Sequence, residues 1–281
     1  MDQWLRQNRQ QYQLLMALSE FLIARGFNPI PTPPAHDLEF RQDHTLALLD
    51  LLTSFRTVES HWPLTVFSTG PLYQARAGKW LETLDVEIFG PNPAHEDMRA
   101  LALITELIPA LATGSPAPAC LMALGQVAWL DTALTRQGLQ SSQRQEIRQN
   151  LMDGHLVEAE NALSRLAPTV KPLCTPQPPE PFFSKLAQLV PEIQTQPLPK
   201  WPSNWQIEWD LSLTGNWPYY TGMVFSLYLP GIGQPLLNGG RFTITRAGKQ
   251  WSGVGFTLYL ESLMSYTGAG KIDWYEVSHG Q

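Results

Sequence analysis

The distribution of proline is the feature that most constrains how this 281-residue chain can fold, because ten of its 24 prolines lie between residues 168 and 202. Proline lacks a backbone N–H donor and blocks helix interiors. It also drives the residue before it towards extended conformations. The stretch 168–202 is therefore predicted to be mostly extended or irregular. It is either a linker between two small domains or a long crossing segment within one.

The composition is that of a folded protein. Hydrophobic residues make up 43% of the chain, charged residues make up 16%, and the net charge is −6. A disordered chain needs lower hydrophobicity, and a nucleic-acid binder needs a basic surplus. The sequence contains neither an apolar run of about 18 residues nor the apolar core of a signal peptide. We therefore expect a cytoplasmic protein that binds neither nucleic acid nor a membrane.

No common catalytic or metal motif occurs in the sequence. Cys120 and Cys174 form neither a disulfide framework nor a metal site, and the six histidines lack ligand spacing. The phosphate-binding, zinc-protease and serine-hydrolase signatures are also absent. We therefore expect no metal and no cofactor.

Hydrophobic periodicity predicts an α+β protein. Apolar residues recur at helical spacing over 4–25, 44–59 and 95–112, and short helices are predicted within 127–166. Antiparallel strands are predicted at 64–69, 71–75, 79–90, 205–213, 219–229 and 235–242, with a strand-to-helix join at 252–264. We expect the N-terminal and C-terminal strands to share one sheet flanked by helices.

Several segments occur in the order known from one family. YYTGMVFSLYLPGIGQPLLNGGRF (219–242) is followed by GVGFTLYLES (253–262). Together they resemble histidyl-tRNA synthetase and, more closely, its paralogue, the regulatory subunit of ATP phosphoribosyltransferase. Three earlier segments fit the same order. GFNPIPTPP (26–34) resembles motif 1 of class II synthetases, FRQDHT (40–45) resembles the LRPD-T pattern of the family, and FSTGPLYQARAGKWLETLDVEIFG (67–90) resembles motif 2.

The resemblance implies a class II aminoacyl-tRNA synthetase-like catalytic domain, an antiparallel sheet flanked by helices. The segments that resemble motifs 1 and 2 precede the proline-rich stretch, and motif 3, whose final glutamate lies in LES (260–262), follows it. We therefore expect a single domain over 1–281. A helical insertion is expected at about 115–170, followed by a return segment at 168–202. No anticodon-binding domain is expected.

Three arginines of the synthetase pattern are replaced. The resemblance aligns them with Gln74, Gly215 and Ser262. In the family these arginines handle the phosphates of ATP, the amino-acid carboxylate and the transition state of adenylate formation. A guanidinium stabilises such anions through charge-assisted, bidentate hydrogen bonds. Their replacement predicts a chain without amino-acid-activating catalysis.

The histidine-binding groups of the family are partly retained. Thr83 replaces a glutamine and Phe242 replaces a tyrosine, and both changes remove polar contacts. The pocket is expected either to bind histidine weakly, to bind it only with a partner, or to be vestigial. The aligned residues are Asp43, Thr45, Thr83, Glu87, Tyr219, Tyr220, Gly239, Gly240 and Arg241.

The resemblance implies a non-catalytic regulatory subunit of ATP phosphoribosyltransferase. Such a subunit forms dimers, assembles with a short catalytic subunit, activates it and mediates histidine feedback in the first step of histidine biosynthesis. Two alternatives remain: a synthetase-like scaffolding paralogue with another partner, and an enzyme that activates an amino acid without tRNA.

Overall fold

The computed structural model describes residues 2–32, 44–54, 62–74, 78–111, 118–193, 198–215 and 217–268. Its eight helices within these residues are α1 (Asp2–Ile23), α2 (His44–Thr53), α3 (Pro93–Leu111), α4 (Val127–Arg136), α5 (Ser141–Asp153), α6 (Leu156–Leu166), α7 (Pro179–Leu189) and α8 (Leu260–Gly268). A 3₁₀ turn spans Lys171–Leu173. Across the described ranges, no helix combines the length and apolar character needed to cross a bilayer.

Among the residues that the structure describes, eight strands form one mixed sheet. They are β1 (Asn28–Pro29), β2 (Leu64–Gln74), β3 (Lys79–Phe89), β4 (Leu121–Gln126), β5 (Gln206–Trp209), β6 (Tyr220–Tyr228), β7 (Leu237–Arg246) and β8 (Lys249–Tyr259). Their order across the sheet is β1-β2-β3-β8-β7-β6-β4-β5. Antiparallel pairing of β3 with β8 joins the N-terminal strands to the C-terminal ones, which confirms that they share a sheet.

The two faces of the sheet are built differently. Alternate residues of β3, Leu84, Val86 and Ile88, are fully buried and pack with α1 and α3 in the main core. On the other face, α2 covers one end of the sheet, where Leu49 packs in a smaller apolar cluster with Trp251. The rest of this second face holds the pocket described below.

The proline-rich stretch 168–202 contains a helix, so the expectation of a mostly extended or irregular segment is wrong over α7. This helix begins at Pro179, with Pro178 as its N-cap residue. Proline is well tolerated in the first turn, since the N–H groups there have no partner within the helix. The prolines therefore set where α7 starts.

The stretch 115–170 also differs from the sequence-based expectation of a helical insertion. It contains β4, an internal strand of the sheet that pairs with β5 on one side and β6 on the other. The helices α4, α5 and α6 follow it without an intervening strand. In the structure, the helical part of this stretch therefore begins only at Val127, directly after β4.

Candidate functional site

The second face of the sheet carries a cavity of about 500 Å³. Its floor is formed by β3, β6, β7 and β8, and its walls include the start of α2, the end of α5, residues 212–215, Trp217 and Tyr219. A volume in this range is typical of small-molecule sites. The cavity is the candidate ligand pocket.

Glycines open the floor of this pocket. Gly255 on β8 lies opposite Glu87 on β3 and opposite Gly240 on β7. A Cβ atom added at Gly255 would lie 2.0 Å from Glu87 Oε2, so the carboxylate rests where a side chain would otherwise be. A Cβ atom at Gly240 would lie 2.7 Å from the carbonyl oxygen of Met223. The absence of side chains therefore leaves room for the Glu87 carboxylate.

Glu87 is the acidic group of the floor. Its side chain is buried, and Thr45 Oγ1 donates a hydrogen bond of 2.5 Å to its Oε1 atom. Thr45 lies in the first turn of α2, where the positive end of the helix dipole favours a carboxylate. The structure thus brings Thr45 and Glu87, both predicted from the sequence, into direct contact.

Aromatic rings form one wall. Trp217 and Tyr219 stack with ring centroids 5.9 Å apart and an interplanar angle of 6°. Tyr219 also makes edge contacts with Tyr220 and Phe242. All four rings line the pocket. The predicted residues Tyr219 and Tyr220 therefore lie in the same pocket as Glu87.

The end of α5 closes another side of the pocket through Leu151, Met152 and Asp153. Arg148, one turn earlier, donates a 2.6 Å hydrogen bond to the carbonyl oxygen of Tyr220. Burial lowers the pKa of Arg148 from its ordinary value. This contact ties α5 to the aromatic wall.

Neutral polar groups complete the lining. Tyr259 donates a 3.2 Å hydrogen bond from its hydroxyl to Asn238 Oδ1, and burial raises the pKa of Tyr259 to about 12. The hydroxyl is therefore protonated at neutral pH. Among the described lining residues, the charged side chains are Glu87 and Asp153, both acidic. In this described part of the lining, a ligand would meet the carboxylate of Glu87 and neutral polar groups.

A buried polar cluster beside Glu87 was not predicted as a unit. Asp85 accepts hydrogen bonds from Thr83 and Thr257, and His44 Nδ1 lies 3.0 Å from Asp85 Oδ2. His44 is 3% exposed, and within the described parts of the chain its Nε2 atom has no hydrogen-bond partner. Thr83 is fully buried in this cluster and does not line the cavity. Contacts between α2 and two strands are long-range, and no local pattern in the sequence indicates them.

Arg241 lies on the opposite face of the sheet, which corrects its assignment to the pocket. Its guanidinium donates a 2.6 Å hydrogen bond to Asp97 and a 3.0 Å bond to the carbonyl oxygen of Pro93, both on α3. A second carboxylate, Glu96, lies 3.4 Å away. Burial raises the pKa of Asp97 to about 6, although the charge of Arg241 acts in the opposite direction. These hydrogen bonds from Arg241 therefore hold α3 against β7.

Two of the three positions aligned with the synthetase arginines lie in the pocket. Gln74 and Gly215 line the pocket, whereas Ser262 is buried in α8 and is not among the lining residues. Gly215 has a φ of +76°, and a Cβ atom there would lie 2.3 Å from the Tyr220 ring. Gly239 and Gly240 both line the cavity. Asp43 lies outside the described residues.

Comparisons with known proteins agree with this architecture. The structure is similar to an ATP phosphoribosyltransferase regulatory subunit/histidyl-tRNA synthetase from Bacillus halodurans, with a TM-score of 0.72, 18% identity, and coverage of 92% of this chain and 79% of that one. It is also similar to a chain of the ATP phosphoribosyl transferase (HisG:HisZ) complex from Thermotoga maritima, with a TM-score of 0.61, 16% identity, and coverage of 89% and 97%. These likenesses show the class II synthetase-like fold.

A curated relative, the ATP phosphoribosyltransferase regulatory subunit of Stutzerimonas stutzeri, is 25% identical over 215 residues, which is 68% of this chain and 52% of the relative. Matches to three other regulatory subunits of the same name span 15% to 26% of their lengths. The chain thus matches about half or less of each of these relatives. The family model described as histidyl-tRNA synthetase matches residues 38–263, and the chain belongs to that family.

Proposed function

We propose that this chain is a non-catalytic regulatory subunit of ATP phosphoribosyltransferase. In this role it binds and activates a short catalytic subunit and conveys histidine feedback to the first step of histidine biosynthesis. The names of the curated relatives and the similarity to a chain of the HisG:HisZ complex support the role.

The observation that carries the non-catalytic part of the proposal is the position of Gly215. The resemblance places a synthetase arginine here, yet the Tyr220 ring occupies the space that any side chain would enter. Gln74, aligned with a second arginine, is an uncharged residue of the pocket wall. Loss of one anion-stabilising donor typically reduces a rate by about 10²–10³. Two such losses at one pocket support a regulatory role over amino-acid activation.

The surface of α1 supports the proposed dimer. Tyr12, Met16 and Ile23 follow one line along the helix and are 69%, 53% and 52% exposed. The opposite side of α1 packs into the core through Leu14, Leu18 and Leu22. An exposed apolar line on a helix that already buries another face is typical of an interface. We propose a second copy as its occupant, because the segment that follows α1 resembles motif 1, which builds the dimer interface of class II synthetases.

Histidine feedback follows from differential binding. Histidine inhibits only if it binds one state of the assembly more tightly than another, because equal affinities leave the equilibrium unchanged. The pocket joins the sheet to α5, so a ligand held by both favours the conformation in which they are close. This arrangement supports a role in which ligand binding in the pocket changes the conformation of the chain and thereby affects the rest of the complex.

The test is to mix the chain with a short catalytic subunit from the same genome. We expect the two proteins to elute together in size-exclusion chromatography. We also expect faster formation of the product from ATP and phosphoribosyl pyrophosphate, with inhibition by histidine. Separate elution with an unchanged rate would refute the proposal. A complex with an unchanged rate would favour the scaffolding alternative.

Amino-acid activation is tested separately by pyrophosphate exchange with ATP and each amino acid. We expect no exchange above background. Histidine-dependent exchange would show an activating enzyme and overturn the inference from Gln74 and Gly215.

A further inference from the structure

We infer that His44 is a positioning residue of the pocket. Its contact with Asp85 sets the start of α2 against β3, so that Thr45 holds the Glu87 carboxylate in place. The inference rests on the proposed function only in taking this pocket as the site of histidine feedback. The family pattern LRPD-T leaves the position of His44 open, so the resemblance assigns this residue no role.

Two consecutive residues of α2 contact two carboxylates on one face of β3. His44 Nδ1 lies 3.0 Å from Asp85 Oδ2. Thr45 Oγ1 donates a 2.5 Å hydrogen bond to Glu87 Oε1. Asp85 and Glu87 are two residues apart on the strand, so their side chains point to the same side of the sheet. The start of α2 is therefore held against β3 at two points.

Asp85 is a fixed acceptor for His44. The two side chains are buried, with 2% of His44 and 6% of Asp85 exposed. Thr83 and Thr257 donate hydrogen bonds to the same carboxylate and fix its direction. An ionised carboxylate only accepts hydrogen bonds, and 3.0 Å is within hydrogen-bonding distance, so we assign the imidazole proton to Nδ1. The position of the His44 ring therefore follows from that of Asp85.

The apolar contacts of α2 do not fix where along β3 the helix begins, because apolar burial is non-directional. One side of α2 packs into the smaller apolar cluster through Leu48, Leu49 and Leu52. Farther along the helix, Asp50 pairs with Arg246, whose side chain is 46% exposed, and exposed pairs contribute little. The buried, directional contact of His44 with Asp85 therefore sets the start of α2.

The effect of His44 reaches Glu87 through Thr45. Consecutive Cα atoms lie about 3.8 Å apart, so fixing His44 confines Thr45 to the neighbourhood of Glu87. A displaced α2 would lengthen the Thr45–Glu87 hydrogen bond and change the direction in which the carboxylate presents its oxygens to the cavity. Glu87 lines the cavity, and His44 is not among its described lining residues. His44 therefore acts on a ligand through its neighbours.

The experiment that needs no ligand measures the ¹³C resonance of the Glu87 carboxyl carbon in the full chain. The resonance is assigned by its absence in Glu87→Gln. Thr45→Val removes the hydrogen-bond donor, and the shift that it causes sets the scale. We expect His44→Ala to shift the resonance in the same direction and by a similar amount. An unchanged resonance in either Thr45→Val or His44→Ala would overturn the inference.

Two conservative variants separate a positioning role from simple packing. In His44→Asn the side-chain amide reaches the place of Nδ1, and in His44→Gln it reaches the place of Nε2, which has no hydrogen-bond partner within the described residues. We expect His44→Asn to restore most of the resonance position and His44→Gln to leave it shifted. Equal shifts in His44→Asn and His44→Ala would show a packing role and refute the inference.

A matched control is His95→Ala, because His95 is an exposed histidine in the first turn of α3. This substitution should leave the Glu87 resonance where it is. A shift as large as that of His44→Ala would show that the resonance does not report the start of α2, and would refute the inference.

Calorimetry with L-histidine measures the consequence for the pocket. We expect His44→Ala to weaken the affinity about tenfold or more, the size expected for one lost hydrogen bond to a charged group, and His44→Asn to stay close to the unsubstituted chain. The double variant His44→Ala with Thr45→Val should lose no more affinity than Thr45→Val alone, because both changes act on one contact. Additive losses would overturn the inference.

The outcomes separate this inference from the proposed function. A chain that does not bind L-histidine loses the feedback part of the proposed function, and the carboxyl resonance still decides the role of His44. A chain that binds L-histidine and activates the catalytic subunit, with a resonance unaffected by His44→Ala, keeps the proposed function and loses the inference.

Discussion

Two arginines on β7, one buried and one partly exposed, allow the effect of burial on the stability contributed by an ion pair to be measured. Arg241 is 5% exposed and pairs with Asp97 and Glu96, which are also buried. Arg246, five residues later on the same strand, makes two hydrogen bonds to Asp50, and its side chain is 46% exposed. We consider replacing each arginine by methionine, which keeps an unbranched chain and removes the charge.

The expected losses of stability differ because Arg241 is buried and Arg246 is exposed to solvent. Arg241→Met leaves two buried carboxylates without their cation, and loss of one partner from a buried ion pair typically costs about 3–5 kcal/mol. Arg246→Met removes an exposed pair, and such pairs typically contribute at most about 1 kcal/mol. The difference between the two free energies of unfolding is thus expected to be about 2–5 kcal/mol.

Urea denaturation followed by tryptophan fluorescence measures both free energies. Arg241→Met combined with Glu96→Gln and Asp97→Asn should recover much of the loss, since neutral partners need no cation. Because Arg241 faces away from the pocket, the folded Arg241→Met protein should bind the same ligands as the unsubstituted chain. Equal destabilisation by Arg241→Met and Arg246→Met would refute the structural role. So would loss of ligand binding at unchanged stability.

Three further predictions follow from named contacts. The pKa of Asp97 is raised to about 6 in the folded chain against an ordinary 3.8, so the folded state binds this proton more tightly. Its contribution to the free energy of unfolding should be fully present below pH 4 and fall by up to about 3 kcal/mol as the pH rises through 6. Urea denaturation at a series of pH values measures this loss, which should be absent in Asp97→Asn. Gly255→Ala should displace the Glu87 carboxylate and abolish ligand binding in calorimetry, whereas a folded variant with unchanged affinity would contradict the described floor. Met16→Lys with Ile23→Lys should shift the chain to monomers in analytical ultracentrifugation, and a dimer of unchanged affinity would exclude α1 as the interface.

Much of the sheet could be predicted from the sequence, because strand periodicity is a local signal. In β3, the alternation of apolar and polar residues predicts that Leu84 and Val86 share one face and that Asp85 and Glu87 share the other, as the structure has them. The strand-to-helix join is also confirmed, since β8 ends at Tyr259 and α8 begins at Leu260. Local sequence patterns are therefore sufficient to predict this part of the fold.

The misassignment of Arg241 has a simple physical origin. Successive residues of a strand point to opposite faces, so Gly240 and Arg241 cannot both face one pocket. The family resemblance assigns the whole motif GGR to the pocket, although strand geometry alone separates its members. The buried partners on α3 lie 144 and 145 residues away in sequence, so periodicity does not indicate them.

The helix at Pro179 and the strand β4 were missed for different reasons. Proline disfavours helix interiors, which predicts an extended or irregular segment throughout 168–202, but it is favourable in a first turn. The β4 segment begins with a short apolar run, Leu121 to Leu124, and such a run fits a buried strand or part of a helix equally well. The pocket residues Thr45 and Glu87 were found only through the family motifs, because their contact spans 42 residues.

The most direct test of the regulatory role is a titration of this chain into a fixed concentration of the short catalytic subunit. The measured quantity is the initial rate of pyrophosphate release from phosphoribosyl pyrophosphate and ATP. The proposal predicts a rate that rises and saturates at a fixed stoichiometric ratio, and no release by this chain alone. A rate that stays flat across the titration, or release by this chain alone, would contradict it.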